Sequence, residues 1–449
     1  MKTDKNLLSK ILLFLVIGMM MLPAFQKKFA LFSEIPLHGD VRLAPDTLLR
    51  WDNWFEGRYA LTKQNYLNDN FGFRNWFVRL RNQVYFSAFN QVFAKEVVLG
   101  KSGYLYESRY LDAYAGKDYI GDKQTEDRFE RLKLIQDSLA SRGVTLVLLF
   151  APGKDSYFPE FIPDSSAKPV EKTNYHQHIL FAKKFGINHI DLNGWFIQMK
   201  PTTKFPLYPK TGTHWSTYSI YIAFDSINRY LDHKLGKTLP KFKINRVEWN
   251  DNLAWGDKDM EDALNLFTDM SHFKMPYPYI IWPDTQNCFR PRVLTIGDSY
   301  WGGFYDFKLE KNTYSHPEFW SYNQFVLNYG PPEKKIKSYD LDLRKAVEQK
   351  DVVFIMASEA SLRFMGWDFI DEVYAMYTKG PAAYAGIQAS RKKNIEITLI
   401  KNFIAFDENW FNGVKRYAAT ANISVDSSLQ VSAMNIYNDR HKADPSAKK

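Results

Sequence analysis

The chain has 449 residues, of which 45% are hydrophobic and 24% charged, so it can bury a core and is not a disordered protein. A single cysteine, Cys288, excludes a disulfide framework and a cysteine-based zinc site. The nine histidines are scattered and form no His-Glu-x-x-His motif, so we predict no metal and no cofactor. The net charge of +9 is mild and its basic residues are dispersed, which argues against nucleic-acid binding.

The N-terminus carries a nearly unbroken apolar run over residues 11–25, and adding Leu7 and Leu8 gives a window of 19 residues. As a helix this window rises about 28 Å, close to the roughly 30 Å of a bilayer's hydrocarbon core. Lys2, Lys5 and Lys10 precede the run, which favours a cytoplasmic N-terminus. No small-residue cleavage site follows it. We therefore predict an uncleaved single-pass anchor in the inner membrane, with the bulk of the chain on the periplasmic side. A cleaved signal peptide and a buried core helix remain the alternatives.

Beyond the anchor, the sequence predicts a stalk, a helical segment and then alternating strands and helices. Pro36, Gly39 and Pro45 interrupt any period in residues 26–50, and residues 48–95 carry helical spacing. The later elements, in chain order, are strands at 97–100 and 104–106, helix 124–142, strand 144–150, helix 171–185, strand 188–192, helix 215–234, strands 293–296 and 351–357, and a lone helical region at 392–420. Strands that alternate with helices predict an open, mostly parallel sheet covered on both faces. Polar residues 440–449 end the chain.

A Gly-Asp-Ser sequence at residues 297–299 is the strongest local motif. A buried strand that ends there places Ser299 at the carboxyl edge of the sheet, where ligands bind in open α/β folds. A sharp turn of this kind exposes a nucleophilic hydroxyl and offers the neighbouring amide to an oxyanion. Asp298 and Tyr300 flank the candidate nucleophile, and together with Trp215 they are candidates for the oxyanion or substrate site. Three common turn residues also recur by chance, so a plain turn remains an alternative.

His214 is the candidate base, because it lies in a polar loop just before a helix. A histidine there can equally be structural, and its neighbour Trp215 can equally stack in a core. If Ser299 and His214 are partners, we expect their side chains to approach within about 4 Å. Two further candidates surround this pair. Asn328 is a possible oxyanion donor or a turn residue, and Lys154 either binds substrate or pairs with a carboxylate.

Taken together and in this order, the motifs resemble the SGNH hydrolase-like acetyltransferases of the alginate-acetylation type, the AlgX and AlgJ proteins. The segments that carry the resemblance are residues 69–74, 98–106, 152–154, 157–160, 212–215, 297–299 and 351–359. The resemblance implies an SGNH-like three-layer sandwich with a mostly parallel central sheet, behind one N-terminal transmembrane helix. The implied domains are an anchor with its cytoplasmic tip (1–28), a stalk and helical segment (29–95), the SGNH-like domain (96–390) and a C-terminal helical segment with its tail (391–449).

The resemblance also implies a function: O-acetylation of an exopolysaccharide or envelope glycan through an acyl-Ser299 intermediate, with His214 as base. The implied partners are the polysaccharide and a membrane-bound O-acyltransferase that supplies the acyl group. The family's third catalytic residue is the Asp of an Asp-x-His-Trp motif, and this chain has Gly212 there. A missing carboxylate can cost about 10⁴-fold in rate.

Three interpretations of Gly212 stay open at this point. A Ser-His pair works without the acid, another acid such as Asp155 or Asp191 replaces it, or the site is inactive and only binds. The alternative functions are accordingly a glycan-binding or scaffold subunit of the same complex, and an esterase that removes acyl groups.

Overall fold

The computed structural model describes residues 5–39, 43–44, 46–49, 51–55, 58–270, 273–283, 285–330, 336–406 and 408–442. Lys2, Pro45 and the tail from residue 443 onwards lie outside the described residues. The chain divides into two compact units, residues 1–99 with 258–272 and residues 100–257 with 273–449. The domain boundaries drawn from the sequence stay a prediction.

The first unit contains the apolar N-terminal run and the predicted helical segment. Its elements are α1 (Lys5–Phe29), α2 (Trp51–Phe55), α3 (Arg58–Asn70), α4 (Arg74–Phe89) and β1 (Val97–Leu99). Within α1, residues Leu7–Phe29 are long and apolar enough to cross a membrane, with a mean hydropathy of 2.2. The segment between α1 and α2 has no helix or strand among its described residues. Glu34 in this segment accepts the backbone N–H groups of Phe73 (2.5 Å) and Asn75 (3.1 Å), so it is tied to the start of α4.

The second unit is an α/β body. Its strands are β2 (Leu105–Glu107), β3 (Thr145–Ala151), β4 (His189–Asp191), β5 (Lys243–Asn250), β6 (Met275–Ile281), β7 (Arg292–Gly297), β8 (Ser315–Ser321), β9 (Phe325–Leu327) and β10 (Val352–Ser358). Its helices are α5 (Ser108–Tyr114), α6 (Asp122–Ala140), α7 (Lys154–Tyr157), α8 (Asn174–Lys184), α9 (Leu192–Met199), α10 (Thr217–Leu235), α11 (Trp255–Ala263), α12 (Ser299–Asp306), α13 (Leu309–Thr313), α14 (Leu343–Glu348), α15 (Phe369–Thr378), α16 (Pro381–Phe406), α17 (Glu408–Ala421) and α18 (Val425–Lys442). Helix α11 belongs to this unit only up to Asp257.

Six strands form the central sheet in the order β4-β3-β10-β7-β8-β9, and only β9 is antiparallel to its neighbour. Alternate residues of β3 enter opposite cores: Val147 and Leu149 pack on one face, and Leu146 and Leu148 on the other. Helices α9, α10 and α12 cover the first face, and α6, α8 and α15 cover the second. The predicted three-layer α/β sandwich with a mostly parallel sheet is confirmed.

Several parts of the second unit differ from the sequence prediction, among them strands β8 and β9 of the central sheet, which were not predicted. An antiparallel pair of strands, β5 and β6, lies outside the central sheet and was not predicted. Most side chains of β5 are exposed and polar, so it lacks the apolar pattern of a buried strand. The C-terminal region is a group of three helices, α16, α17 and α18, rather than the lone helix expected. These three helices share a small core that includes Ile400, Ile404 and Leu429.

Candidate active site

Ser299 begins α12 directly after the buried strand β7, at the carboxyl edge of the sheet. Asp298 fixes this turn with its carboxylate. One oxygen accepts the N–H of Tyr300 at 3.1 Å, and the other accepts the N–H of Ser358 at the end of β10 at 2.7 Å. The carboxylate of Asp298 thus caps α12 and joins two neighbouring strand ends. This arrangement holds the backbone of the nucleophile candidate in place.

His214 lies in the loop before α10, and its Nε2 is 2.9 Å from the Oγ of Ser299. The two side chains therefore meet within the distance expected from the sequence, although their catalytic roles stay a prediction. The Tyr300 ring packs 5.1 Å from the imidazole, and its hydroxyl donates to the Thr213 carbonyl at 3.1 Å. Tyr300 therefore supports the loop that presents His214 instead of pointing into solvent.

Lys154 supports the same loop from the other side. Its side chain is only 3% exposed, and its Nζ donates to the carbonyl oxygens of Lys210 and Gly212, each at 2.8 Å. A buried ammonium that binds two loop carbonyls fixes the backbone path leading to His214. The substrate-binding role suggested for Lys154 stays a prediction.

A small cavity of about 160 Å³ opens beside the Ser299–His214 pair. Its wall is formed by His214, Trp215, Thr217, Ile220, Ala254, Gly256, Asp257, Ser299, Gly302, Gly303, Asp306 and Phe307. Trp215 contributes one face of this wall, and its ring also packs on Tyr300 and Phe304 at 5.3 and 5.4 Å. Trp215 therefore packs in the core and also lines the cavity, and its role in binding substrate stays a prediction. The cavity has a mostly apolar wall facing a hydroxyl and an imidazole, and it has room for a small acyl group.

Asn328 does not line this cavity. Its Oδ1 accepts the N–H of Gly330 at 3.0 Å, which is the turn arrangement that the sequence offered as the alternative. Its role as an oxyanion donor stays a prediction. The backbone N–H of Ser299 instead donates to the hydroxyl of Tyr322 at 3.3 Å. Sequence reasoning missed Tyr322 because it lies in the turn after β8, a strand that was not predicted.

The two acids proposed from the sequence as substitutes at the triad do not line the cavity either. Asp191 caps α9 by accepting the N–H of Gly194 at 2.8 Å, and it also accepts the Tyr175 hydroxyl at 3.0 Å. Asp155 is buried beside Glu359, and burial together with that second carboxylate raises the pKa of Asp155 well above its usual range. The described residues contain no group of three or more His, Cys, Asp or Glu side chains that is able to hold a metal ion.

Asp257 is an acid that the sequence analysis missed, and it lines the cavity together with His214 and Ser299. It lies at the start of α11 and is 1% exposed. Its Oδ2 accepts the hydroxyl of Tyr277 at 2.6 Å. The sequence around it carries no motif, and only the folded chain brings residue 257 to the loop of residue 214.

Comparison with known proteins supports the resemblance over part of the chain. Residues 97–258 match the family model described as the SGNH hydrolase-like domain of the acetyltransferase AlgX. The probable alginate O-acetylase AlgJ of Pseudomonas aeruginosa is 31% identical over 121 residues, which are 27% of this chain. The match spans only 29% of that relative's length. Ser299 lies beyond the segment that the family model matches.

Two solved structures align with the chain at low sequence identity. The O-acetyltransferase domain of Pseudomonas putida AlgJ aligns with a TM-score of 0.40 and 15% identity over 66% of this chain and 99% of that one. Pseudomonas aeruginosa AlgX aligns with a TM-score of 0.39 and 15% identity over 65% of this chain and 70% of that one. The family model confirms the resemblance inferred from the sequence motifs over the residues that it matches: residues 97–258 are similar to the SGNH hydrolase-like domain of the acetyltransferase AlgX.

Proposed function

We propose that the chain is a membrane-anchored O-acetyltransferase that transfers an acetyl group to a hydroxyl of an exopolysaccharide or envelope glycan. The observation that carries this proposal is the 2.9 Å approach of His214 Nε2 to Ser299 Oγ at the carboxyl edge of a parallel sheet. The match of residues 97–258 to an acetyltransferase domain favours acetyl over larger acyl groups. The AlgJ relative is a probable alginate O-acetylase, which favours a polysaccharide acceptor.

The first half-reaction loads the acetyl group onto the protein. His214 Nε2 takes the Ser299 hydroxyl proton while Oγ attacks the carbonyl carbon of the donor. The bond from that carbon to the leaving group then breaks, and the leaving group takes the proton back from the imidazolium. The product is an acetyl ester on Ser299.

The second half-reaction depends on which hydroxyl reaches the ester. A glycan hydroxyl gives its proton to His214 and attacks the ester carbonyl, and the Ser299 oxygen leaves with that proton. The same steps with water release acetate, which is the reaction of the alternative esterase. The choice between transfer and hydrolysis therefore depends on how well the glycan excludes water from the cavity.

An oxyanion forms next to Ser299 Oγ in both steps and needs donors. The Ser299 N–H and the Tyr322 hydroxyl already meet beside the nucleophile, at 3.3 Å. We assign these two groups as the donors to the oxyanion. When the substrate carbonyl oxygen enters the site, the Ser299 N–H donates to that oxygen instead of to the Tyr322 hydroxyl, and the Tyr322 hydroxyl donates to the same oxygen. Burial raises the pKa of Tyr322, which keeps its hydroxyl protonated and able to donate.

The apolar helix α1 supports attachment to a membrane, with the second unit on the extracytoplasmic side. Polysaccharide acetylation outside the cytoplasm needs an acyl donor that has crossed the bilayer. We therefore propose that a membrane-bound O-acyltransferase delivers the acetyl group to Ser299.

The proposal is tested by incubating the purified full-length chain in detergent with p-nitrophenyl acetate and locating the adduct by mass spectrometry. We expect an acetyl group on Ser299, and none on the Ser299→Ala variant. His214→Ala should lower the rate of labelling by about 10²–10⁴-fold, the usual contribution of a general base. Ser141→Ala and His233→Ala, at exposed positions, are the matched controls and should behave as the wild type.

Two results would count against the proposal. If the folded wild type acquires no adduct on Ser299, the acyl-serine mechanism is wrong. If cells carrying Ser299→Ala acetylate their polysaccharide normally while deletion of the chain abolishes it, the protein is the binding or scaffold subunit considered above.

A further inference from the structure

Position 212, where the resembling family has its third catalytic residue, has no room for a side chain. A Cβ atom on Gly212 would overlap the carbonyl oxygen of Gly256 and would lie 2.8 Å from both the Asp257 carbonyl carbon and the Pro209 ring. The start of α11 thus packs directly on the backbone of residue 212. A glycine at this position is required by the packing and is not simply a lost acid.

The same packing brings a different carboxylate to the site. A Cβ atom on Gly256 would lie 3.9 Å from the Cβ of His214, so the chain at residues 256–257 passes alongside the base. Asp257 lines the cavity that His214 and Ser299 share, and its side chain is buried. The Thr211 hydroxyl also donates to the Asp257 carbonyl at 3.4 Å, which joins the two loops once more.

One oxygen of the Asp257 carboxylate is held by a tyrosine hydroxyl. The Tyr277 hydroxyl donates to Oδ2 at 2.6 Å and itself accepts the N–H of Ala254 at 2.7 Å. A buried carboxylate is tolerated only where donors satisfy it, so the site is built to keep an acid in this place. The contact with Asp257 contributes, after burial, to a raised pKa of Tyr277, which keeps that hydroxyl protonated as the donor.

The proposed role of His214 as a base requires a carboxylate next to its imidazole. Its Nε2 faces Ser299, and that nitrogen must be unprotonated to accept the serine proton, so the proton of the neutral ring belongs on Nδ1. A carboxylate that accepts this proton fixes the tautomer and stabilises the imidazolium formed during the reaction. We propose that Asp257 is the positioning carboxylate of His214, supplied from the start of α11 in place of an acid at residue 212. This inference rests on the proposed function for its catalytic meaning.

Other charged or titratable groups near His214 are the carboxyl of Asp306 in the cavity wall, Asp298 at the start of α12, the ammonium of Lys154 behind the loop and the Tyr300 ring. Asp298 is engaged by two backbone N–H groups. Asp306 lies seven residues beyond Ser299 on α12, about 10 Å along the helix axis. Asp306→Asn is therefore the matched control, since it removes a cavity-lining carboxylate that lies away from the base.

The test measures the pKa of His214 by NMR on the full-length chain in detergent with labelled histidine, the signal being assigned by its loss in His214→Ala. Asp257→Asn keeps the shape and the oxygen that accepts from Tyr277 but removes the charge. We expect the pKa of His214 to fall by about one unit or more, because an adjacent opposite charge favours the protonated ring. Asp306→Asn should change it much less. An unchanged His214 pKa in folded Asp257→Asn overturns the inference.

A second measurement needs no Asp257 variant. In the wild type, the Nδ1 proton of His214 should appear as a strongly deshielded resonance, as expected for an imidazole N–H bonded to a carboxylate, and it should vanish in His214→Ala. Its absence across the pH range also overturns the inference. Both measurements are independent of acetyl transfer. If Ser299 acquires no acetyl group but the His214 pKa shift and the Nδ1 resonance are both observed, the proposed function is refuted and the positioning role of Asp257 stands.

If acetyl transfer is observed, kinetics add a third readout. Asp257→Asn should lower kcat towards p-nitrophenyl acetate by about 10²–10⁴-fold with little change in KM, as loss of a triad carboxylate does. The apparent pKa of the base in the kcat/KM profile should shift to lower pH. If Asp257 had a purely structural role, Asp257→Asn would reduce the amount of folded protein but leave the pH dependence of kcat/KM unchanged.

Discussion

A pair of buried carboxyl groups, Asp155 and Glu359, follows the neighbouring strands β3 and β10. Both are nearly inaccessible to water, and the Ser156 hydroxyl lies 2.8 Å from each carboxyl oxygen of Glu359. Burial, with smaller contributions from Asp118 and Asp191, raises the pKa of Glu359 to about 7. The carboxyl edge of the sheet therefore carries protons near neutral pH in groups that do not line the Ser299 cavity.

Glu359 should make the stability of the protein depend on pH. Between about pH 4.5 and 7 the unfolded chain ionises this group while the folded chain keeps it protonated, so the free energy of unfolding falls as the pH rises. The full effect is about 3 kcal/mol, at about 1.4 kcal/mol per pH unit. Glu359→Gln should abolish this part of the slope and make the variant the more stable form above pH 7. The free energies of unfolding of the wild type and of Glu359→Gln are measured by denaturant unfolding in detergent at pH 5 to 8.

Several other buried acids titrate in the same range, so the comparison must be between matched variants. Glu160→Gln is the control, because Glu160 is an exposed glutamate five residues after Asp155. If the unfolding curves of wild type and Glu359→Gln stay parallel from pH 5 to 8, the raised pKa of Glu359 is refuted.

At the scale of elements, helix α16 is fixed to the sandwich by an ion pair in the core. The Arg391 side chain is fully buried, its Nε lies 3.1 Å from Glu372 Oε2 on α15, and its Nη1 donates to the Ser338 carbonyl at 2.9 Å. A buried charge without its partner is strongly unfavourable, whereas removal of both charges costs far less. The contact joins the start of the C-terminal helices to the SGNH-like body.

Arg391→Met should therefore lower the free energy of unfolding by about 3–5 kcal/mol, because it leaves the Glu372 carboxyl in the core without its cation. The double variant Arg391→Met with Glu372→Leu should recover much of this loss. Lys392→Met, at the exposed next position, should change stability little. Denaturant unfolding measures all three. A double variant as unstable as Arg391→Met alone would show that the charge pair is not the cause.

The three central strands of the sheet were predicted well because they are largely buried. Strands β3, β7 and β10 are mainly apolar, and both ends of each lie within two residues of the prediction. Strands β5 and β9 were not predicted from the sequence, because an exposed strand or a short edge strand carries no apolar run. The Ser299–His214 pair was found because strand ends and loop motifs are local in sequence. Asp257 was not, since its place follows from how residues 256–257 pack on Gly212, which no sequence period encodes.

At the scale of the whole molecule, α1 is the feature that decides where the reaction takes place. Its residues from Leu7 to Met21 expose large apolar side chains, which is unfavourable in water over such a length. Lys27 and Lys28 in its last turn oppose the charge asymmetry created by Lys5 and Lys10, so the orientation of the helix calls for a test separate from that of membrane attachment.

We expect the full-length chain to remain in the membrane fraction after a carbonate wash and to keep its original N-terminus. Exchanging Leu15 and Val16 for arginine should release it, because each charge at the centre of a span costs about 3 kcal/mol in insertion.

Orientation is tested with Cys288→Ser and Ser141→Cys together, which leave one exposed thiol on the second unit. A membrane-impermeant maleimide should label it in spheroplasts as fully as after detergent lysis. Labelling only after lysis would place the second unit in the cytoplasm, away from any extracellular glycan, and an N-terminus beyond Lys28 would mean a cleaved, released protein.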